Sequence, residues 1–159
     1  MRKDEWTKSE AAKILNITPR TIQYYTDEGI IVPGKYAPIG RGTTRKYNAV
    51  NLVEFAVVSE LSRCGVPLSD IKHLMHSGRL RESAGGDPWD PHNLLTKKRH
   101  FIILYDPHAE HGTMVMRGSE GYKIELTFGP EIGAMREAPF TSAVVVDITS
   151  ITERIRSLI

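Results

Sequence analysis

At 159 residues, with 40% hydrophobic and 25% charged side chains, the chain can bury a core as one domain or two small ones. The N-terminal MRKDEWTKSE is charged and has no apolar h-region, the longest apolar runs (FIILY, AVVV) are far too short to span a membrane, and Cys64 stands alone, so signal peptide, membrane span, internal disulfide and multi-thiolate metal site are all excluded from the reading. The net charge of +2 hides a split: residues 1–80 hold 12 basic against 8 acidic side chains, residues 81–159 hold 9 against 11, and residues 30–50 hold Lys35, Arg41, Arg45 and Lys46 with no acid. A local basic stretch in a near-neutral, cytoplasmic chain suggests a defined contact with a polyanion, against the plainer reading of a solvated loop.

In chain order, Thr7-Lys8-Ser9-Glu10 reads as a capping box, in which hydroxyl and carboxylate each satisfy a free backbone donor. It opens a short helix with Ala11, Ala12, Ile14 and Leu15 as its apolar stripe. Asn16-Ile17-Thr18 is a turn. Thr18 then caps a second helix, with Pro19 at its first position and Gly29 just past its end. Two short helices across a three-residue turn have helix-turn-helix spacing.

The stretch IIVPGKYAPIGRGTTRKYN reads as a hairpin or loop, because Pro33, Pro38 and three glycines interrupt β-prone residues. A 3.6-residue period resumes from Asn48 through Val50, Val53, Val57 and Leu61, with Phe55 and Val58 alongside, and stops at Gly65. Leu68, Ile71, Leu74 and Met75 mark a further short helix. SGRLRESAGGDPWDPHN then reads as a linker over 78–98, in which Trp89 would pin the chain to a domain.

Beyond the linker the period changes. RHFIILYD is a continuous apolar run, TMVMRG follows, YKIELTF alternates with Tyr122, Ile124, Leu126 and Phe128 on one face, and SAVVVDI is a fourth strand. SITERIRSLI closes as an amphipathic helix, with Ser150 and Glu153 as a second capping box and Ile151, Ile155 and Leu158 as its stripe. The expected fold class is α+β: an N-terminal winged helix-turn-helix domain over 1–77, and a small antiparallel sheet with one C-terminal helix over 99–159, serving dimerisation or sensing.

On the second helix, Arg20, Thr21 and Tyr24 can share one arc, while Ile22 and Tyr25 turn toward the core. Two long polar side chains and a small hydroxyl near a helix N-terminus suit phosphates and base edges in a major groove. The competing reading is a solvated helix with packed tyrosines.

The run Pro19-Arg20-Thr21-Ile22-Gln23-Tyr24-Tyr25-Thr26-Asp27-Glu28-Gly29-Ile30-Ile31, followed by Arg45-Lys46-Tyr47-Asn48 and by CGVPLSDIKHLM, resembles the MerR family of transcription regulators over residues 5–76. The resemblance implies a sequence-specific regulator that binds double-stranded DNA as a homodimer at a promoter. Thr18, Arg20, Thr21 and Tyr24 would contact DNA from the recognition helix, and Arg45 and Lys46 from the wing, with Arg41, Thr43 and Thr44 as looser candidates. Tyr25 would be structural and Tyr47 would anchor the wing. Two features depart from the family pattern. Gln23 stands where an arginine is usual, and the glycines and prolines of 78–91 rule out the long dimerisation helix that normally follows.

Other classes find less in the sequence. Asp106, His108, Glu110 and His111 offer metal-binding atoms, but neighbours on one turn rarely converge, and a polar hairpin tip is the preferred reading. Cys64 reads as a small buried hydrophobe. No phosphate loop or nucleophile elbow marks an enzyme, and nothing calls for a cofactor or metal. An excisionase-like architectural protein or a protein-binding adaptor with a similar head are the alternatives. The basic groups on both helix and wing argue against the adaptor.

Overall fold

The structure, a computed structural model, describes residues 3–33, 45–76, 99–105, 113–119 and 143–159. Their fold is α+β. The short strand β1 (Trp6–Thr7) leads into α1 (Lys8–Leu15), a tight turn, and α2 (Pro19–Asp27). Strand β2 (Lys46–Tyr47) pairs antiparallel with β1, Trp6 opposite Tyr47, and runs straight into α3 (Ala49–Arg63) and then α4 (Leu68–His76). Strands β3 (Arg99–Tyr105), β4 (Thr113–Ser119) and β5 (Ala143–Asp147) form an antiparallel sheet with β3 in the middle, and α5 (Ile148–Leu158) ends the chain. The expected linker, Trp89, the YKIELTF strand and the 106–111 cluster lie outside the described residues.

The capping chemistry fixes where the first helices start. The Thr7 hydroxyl accepts from the Glu10 backbone N–H while the Glu10 carboxylate accepts from Thr7 N–H at 2.9 Å, closing the expected capping box. Asn16 takes the left-handed conformation (φ 54°) and its N–H caps the end of α1, which frees the chain to turn. Pro19 sits at the first position of α2, where its missing N–H costs nothing. Gly29 (φ 65°) turns the chain out of α2 in a region that a β-carbon disfavours.

Helix α3 is the centre of the molecule. Nine of its fifteen residues are buried: Ala49, Asn51, Leu52, Val53, Phe55, Ala56, Val57, Val58 and Leu61. That is too many for one stripe, because the helix is covered on several sides. It packs against α1, α4, α5, β2 and β5, and through Phe55 it reaches Tyr25 of α2 (ring centroids 6.5 Å, stacked). One continuous apolar cluster joins these residues to Ile102 of β3, Val146 of β5, and Ile148, Ile151 and Ile155 of α5. The C-terminal helix therefore lies between the sheet and the helix-turn-helix.

Phe101, Ile102 and Ile103 are all buried, although neighbouring strand residues point to opposite faces. Both faces of β3 are thus covered at this point, which is why its sequence is a continuous apolar run without alternation.

Two expectations are corrected. The last helix starts at Ile148 and not at Ser150: Asp147 is its N-cap, accepting from Ser150 N–H at 2.9 Å and from the Ser150 hydroxyl at 2.8 Å. Starting there puts Ile148, Ile151, Thr152 and Ile155 on one buried face, a better burial than the later start allows, and leaves Leu158 53% exposed. Cys64 is exposed, because α3 ends at Arg63 and the chain turns away at Gly65 (φ 82°), so the cysteine caps the helix outside its packed face.

The shared cluster generates a direct comparison. Ile155→Ala removes a side chain that is 1% exposed and should lower the unfolding free energy by about 2–5 kcal/mol. Leu158→Ala should change it by less than about 0.5 kcal/mol. Urea denaturation of both variants checks the difference; equal effects would mean that α5 does not join the core.

Candidate nucleic-acid interface

Helix α2 divides cleanly. Ile22, Tyr25 and Thr26 are buried, while Arg20, Gln23, Tyr24 and Asp27 share the opposite, exposed face at i, i+3, i+4 and i+7. The buried side is anchored twice. Tyr25 stacks on Phe55, and the Thr26 hydroxyl donates to the Ile22 carbonyl at 2.8 Å while sharing a 3.2 Å hydrogen bond with the buried Tyr47 hydroxyl. Tyr47 in turn meets Phe55 edge to face at 5.2 Å. With one face fixed against α3, the other can only point outward.

The described residues on either side of 34–44 are fixed by the same core. The buried Asn51 amide donates to the Val32 carbonyl at 3.2 Å on one side. On the other, Tyr47 is 1% exposed beneath Arg45 and Lys46. The far end of α2 is secured by α4: Lys72 donates to the Glu28 carbonyl and His76 Nε2 to the Gly29 carbonyl, each at 2.7 Å. These are donors on the carbonyls that a helix end leaves without partners.

The expected site residues fall as follows. Thr18 caps α2, accepting from Thr21 N–H at 3.1 Å, and its hydroxyl bonds that of Thr21 at 2.8 Å. Both hydroxyls therefore sit together at the N-terminal end of the helix. Arg20 is exposed and has no partner among the described residues. Tyr24 is 46% exposed, its ring tilted against that of Tyr25 at 6.0 Å. Arg45, just before β2, reaches this helix through Asp27, while Lys46, on β2, lies beside Glu5 just before β1. Arg41, Thr43 and Thr44 lie outside the described residues.

The wing cations are not bare. Arg45 Nη1 contacts Asp27 Oδ1 at 2.5 Å, and Lys46 Nζ lies 3.4 Å from Glu5 Oε2. Lys8, at the start of α1, donates to Gln23 Oε1 at 2.8 Å. The Arg45 guanidinium first, then the Gln23 amide, hold the Asp27 carboxyl below the usual carboxylate range, and Asp27 pushes Arg45 further up. A polar chain thus runs from Lys8 on α1 through Gln23 and Asp27 on α2 to Arg45, just before β2. The arginine expected at position 23 is replaced by an amide that links an ammonium to a carboxylate. Lys8 and Asp27 escaped the sequence reading. The only available signal was that Asp27 lies seven residues after Arg20, on the same helical face.

Residues 7–78 match the family model described as MerR HTH family regulatory protein. The chain carries a MerR-family helix-turn-helix domain. That domain is the mark of a family of DNA-binding transcription regulators, and the match takes in α1 through α4. No curated protein matches the chain. Among the described residues no helix is long and apolar enough to cross a membrane.

The capping box at the start of this domain predicts a pH response. Lys3 most of all, then the Thr7 backbone and hydroxyl donors, hold the Glu10 carboxyl down at about 2. Because the folded-state value is depressed, the stabilisation is complete above the ordinary carboxylate range and is lost as pH falls toward about 2. Carboxyl NMR titration should find Glu10 near that value, and Lys3→Ala should raise it. Titration in the ordinary range in both proteins would contradict the arrangement.

Proposed function

We propose that this protein is a sequence-specific transcription regulator that lays α2 in the major groove of double-stranded DNA and sets Arg45 and Lys46 on the backbone. One observation carries the reading: the outward face of α2, fixed by Tyr25 and Tyr47 below, presents Arg20 and Tyr24, and Arg45 joins that face through its ion pair with Asp27. Arg20 is the base-reading candidate, since a guanidinium can meet a guanine edge with two parallel hydrogen bonds. Thr18 and Thr21, at the positive end of the helix, suit a phosphate.

A single short helix reaches only three or four base edges, which is too few to mark one promoter. A homodimer reading two half-sites supplies the rest, with the 99–159 region, following the 78–98 linker, as its dimerisation or sensing unit. The protein acts in the cytoplasm, as a regulator and not as an enzyme.

Fluorescence anisotropy on the DNA upstream of the protein's own gene, against scrambled DNA over a salt series, tests the assignment. Arg20→Ala should cost about 1–3 kcal/mol on the specific fragment and relax its preference over scrambled DNA. Lys46→Ala should weaken both DNAs alike and reduce the salt slope by about one. Small, equal effects from the two would sink the assignment.

A further inference from the structure

Asp27 is out of place on every simple count. It is an acid on the face of α2 that the proposed function turns toward a polyanion. It also stands in the last turn of the helix, where the macrodipole favours cations. Its ion pair with Arg45 is exposed, with side chains 47% and 52% accessible, and pairs of that kind contribute little to stability. A residue that opposes both the helix dipole and the ligand, for so little gain in folding, calls for a use at its partner.

That partner supplies one. A guanidinium carries five N–H donors in a rigid plane. Arg45 commits Nη1 to Asp27, and among the described residues its other N–H groups have no hydrogen-bond partner. Asp27 is itself steadied by the Gln23 amide, which Lys8 holds from α1. The wing arginine, otherwise a long side chain with many rotamers, is thereby tied to the recognition helix before any DNA arrives.

We propose that Asp27 is a positioning residue for DNA binding: it locks the Arg45 guanidinium against the recognition helix, so that a backbone phosphate meets an already oriented donor. The idea rests on the DNA-binding reading above and assigns a role to a residue that touches no DNA. It gains affinity by removing in advance the entropy of ordering a flexible cation. Gln23 and Lys8 are the outer part of the same device, which accounts for an amide where an arginine was expected.

The sign of one substitution decides the matter. If Asp27 acts only as a negative charge near DNA, Asp27→Ala tightens binding. If it positions Arg45, Asp27→Ala weakens binding although it removes a repulsive charge. The probe is a random-sequence DNA duplex at low salt, because a phosphate contact needs no operator. Asp27→Ala should lose roughly three- to tenfold in affinity, about the effect of one weakened charge-assisted hydrogen bond, and its salt slope should fall by about one. In an Arg45→Gln background, where there is nothing left to position, the same Asp27→Ala change should tighten binding. That reversal is a readout that a merely structural role would not give. Tighter binding in both backgrounds overturns the positioning role while leaving DNA binding intact. Failure of the wild-type protein to bind any duplex at low salt overturns the DNA-binding reading, and the positioning role with it.

Discussion

Everything in this molecule leans on α3, a helix with too many apolar residues to face water on any broad side. Burying Leu52, Val53, Phe55, Val57, Val58 and Leu61 together requires partners in several directions. The chain provides them in α1, α4 and β2 from the N-terminal part, and in β5 and α5 from the C-terminal part. At about 25 cal/mol per Å² of apolar surface removed from water, such a helix outweighs any single polar contact at the periphery. The outer elements are positioned by where they can cover it.

The candidate interface follows from that constraint. Tyr25 and Tyr47 both meet Phe55, so α2 and β2 are set against one ring. Their outward faces then have a fixed relation. Polar groups complete the arrangement at the surface, where each contact is weak but orientation matters more than energy. Opposite charges are interleaved there: Lys8, Arg45 and Lys46 against Glu5 and Asp27. Arg20, at the leading end of α2, is a cation of this exposed helical face with no ion-pair partner among the described residues, and so is available to a ligand.

Much of this was legible in the sequence, for reasons that differ by element. Thr7, Glu10, Thr18, Pro19 and Gly29 act through local backbone chemistry, so their order alone set the first two helices. The period through Val53, Val57 and Leu61 announced α3, and the continuous FIILY run marked a strand, whose burial on both faces only the tertiary fold shows. Where a local and a tertiary preference competed, the tertiary one won. Ser150 and Glu153 offered a good cap, but starting at Ile148 buries another isoleucine, and Asp147 was available to accept the free N–H groups. Cys64 looked apolar enough to bury, yet it lies where the chain leaves the packed face. The chain of contacts from Lys8 through Gln23 and Asp27 to Arg45 was not legible, since it joins positions up to 37 residues apart that only the tertiary fold brings together.

The central claim is that α3 is a common support, so that the helix-turn-helix and the C-terminal sheet and helix open together. Native-state hydrogen exchange under rising denaturant tests it most directly. Amides of Tyr25 in α2, Val57 in α3 and Ile155 in α5 should converge on one opening free energy, that of global unfolding. Exchange of the α5 amides through a lower, separate opening, with α2 and α3 still protected, would contradict it.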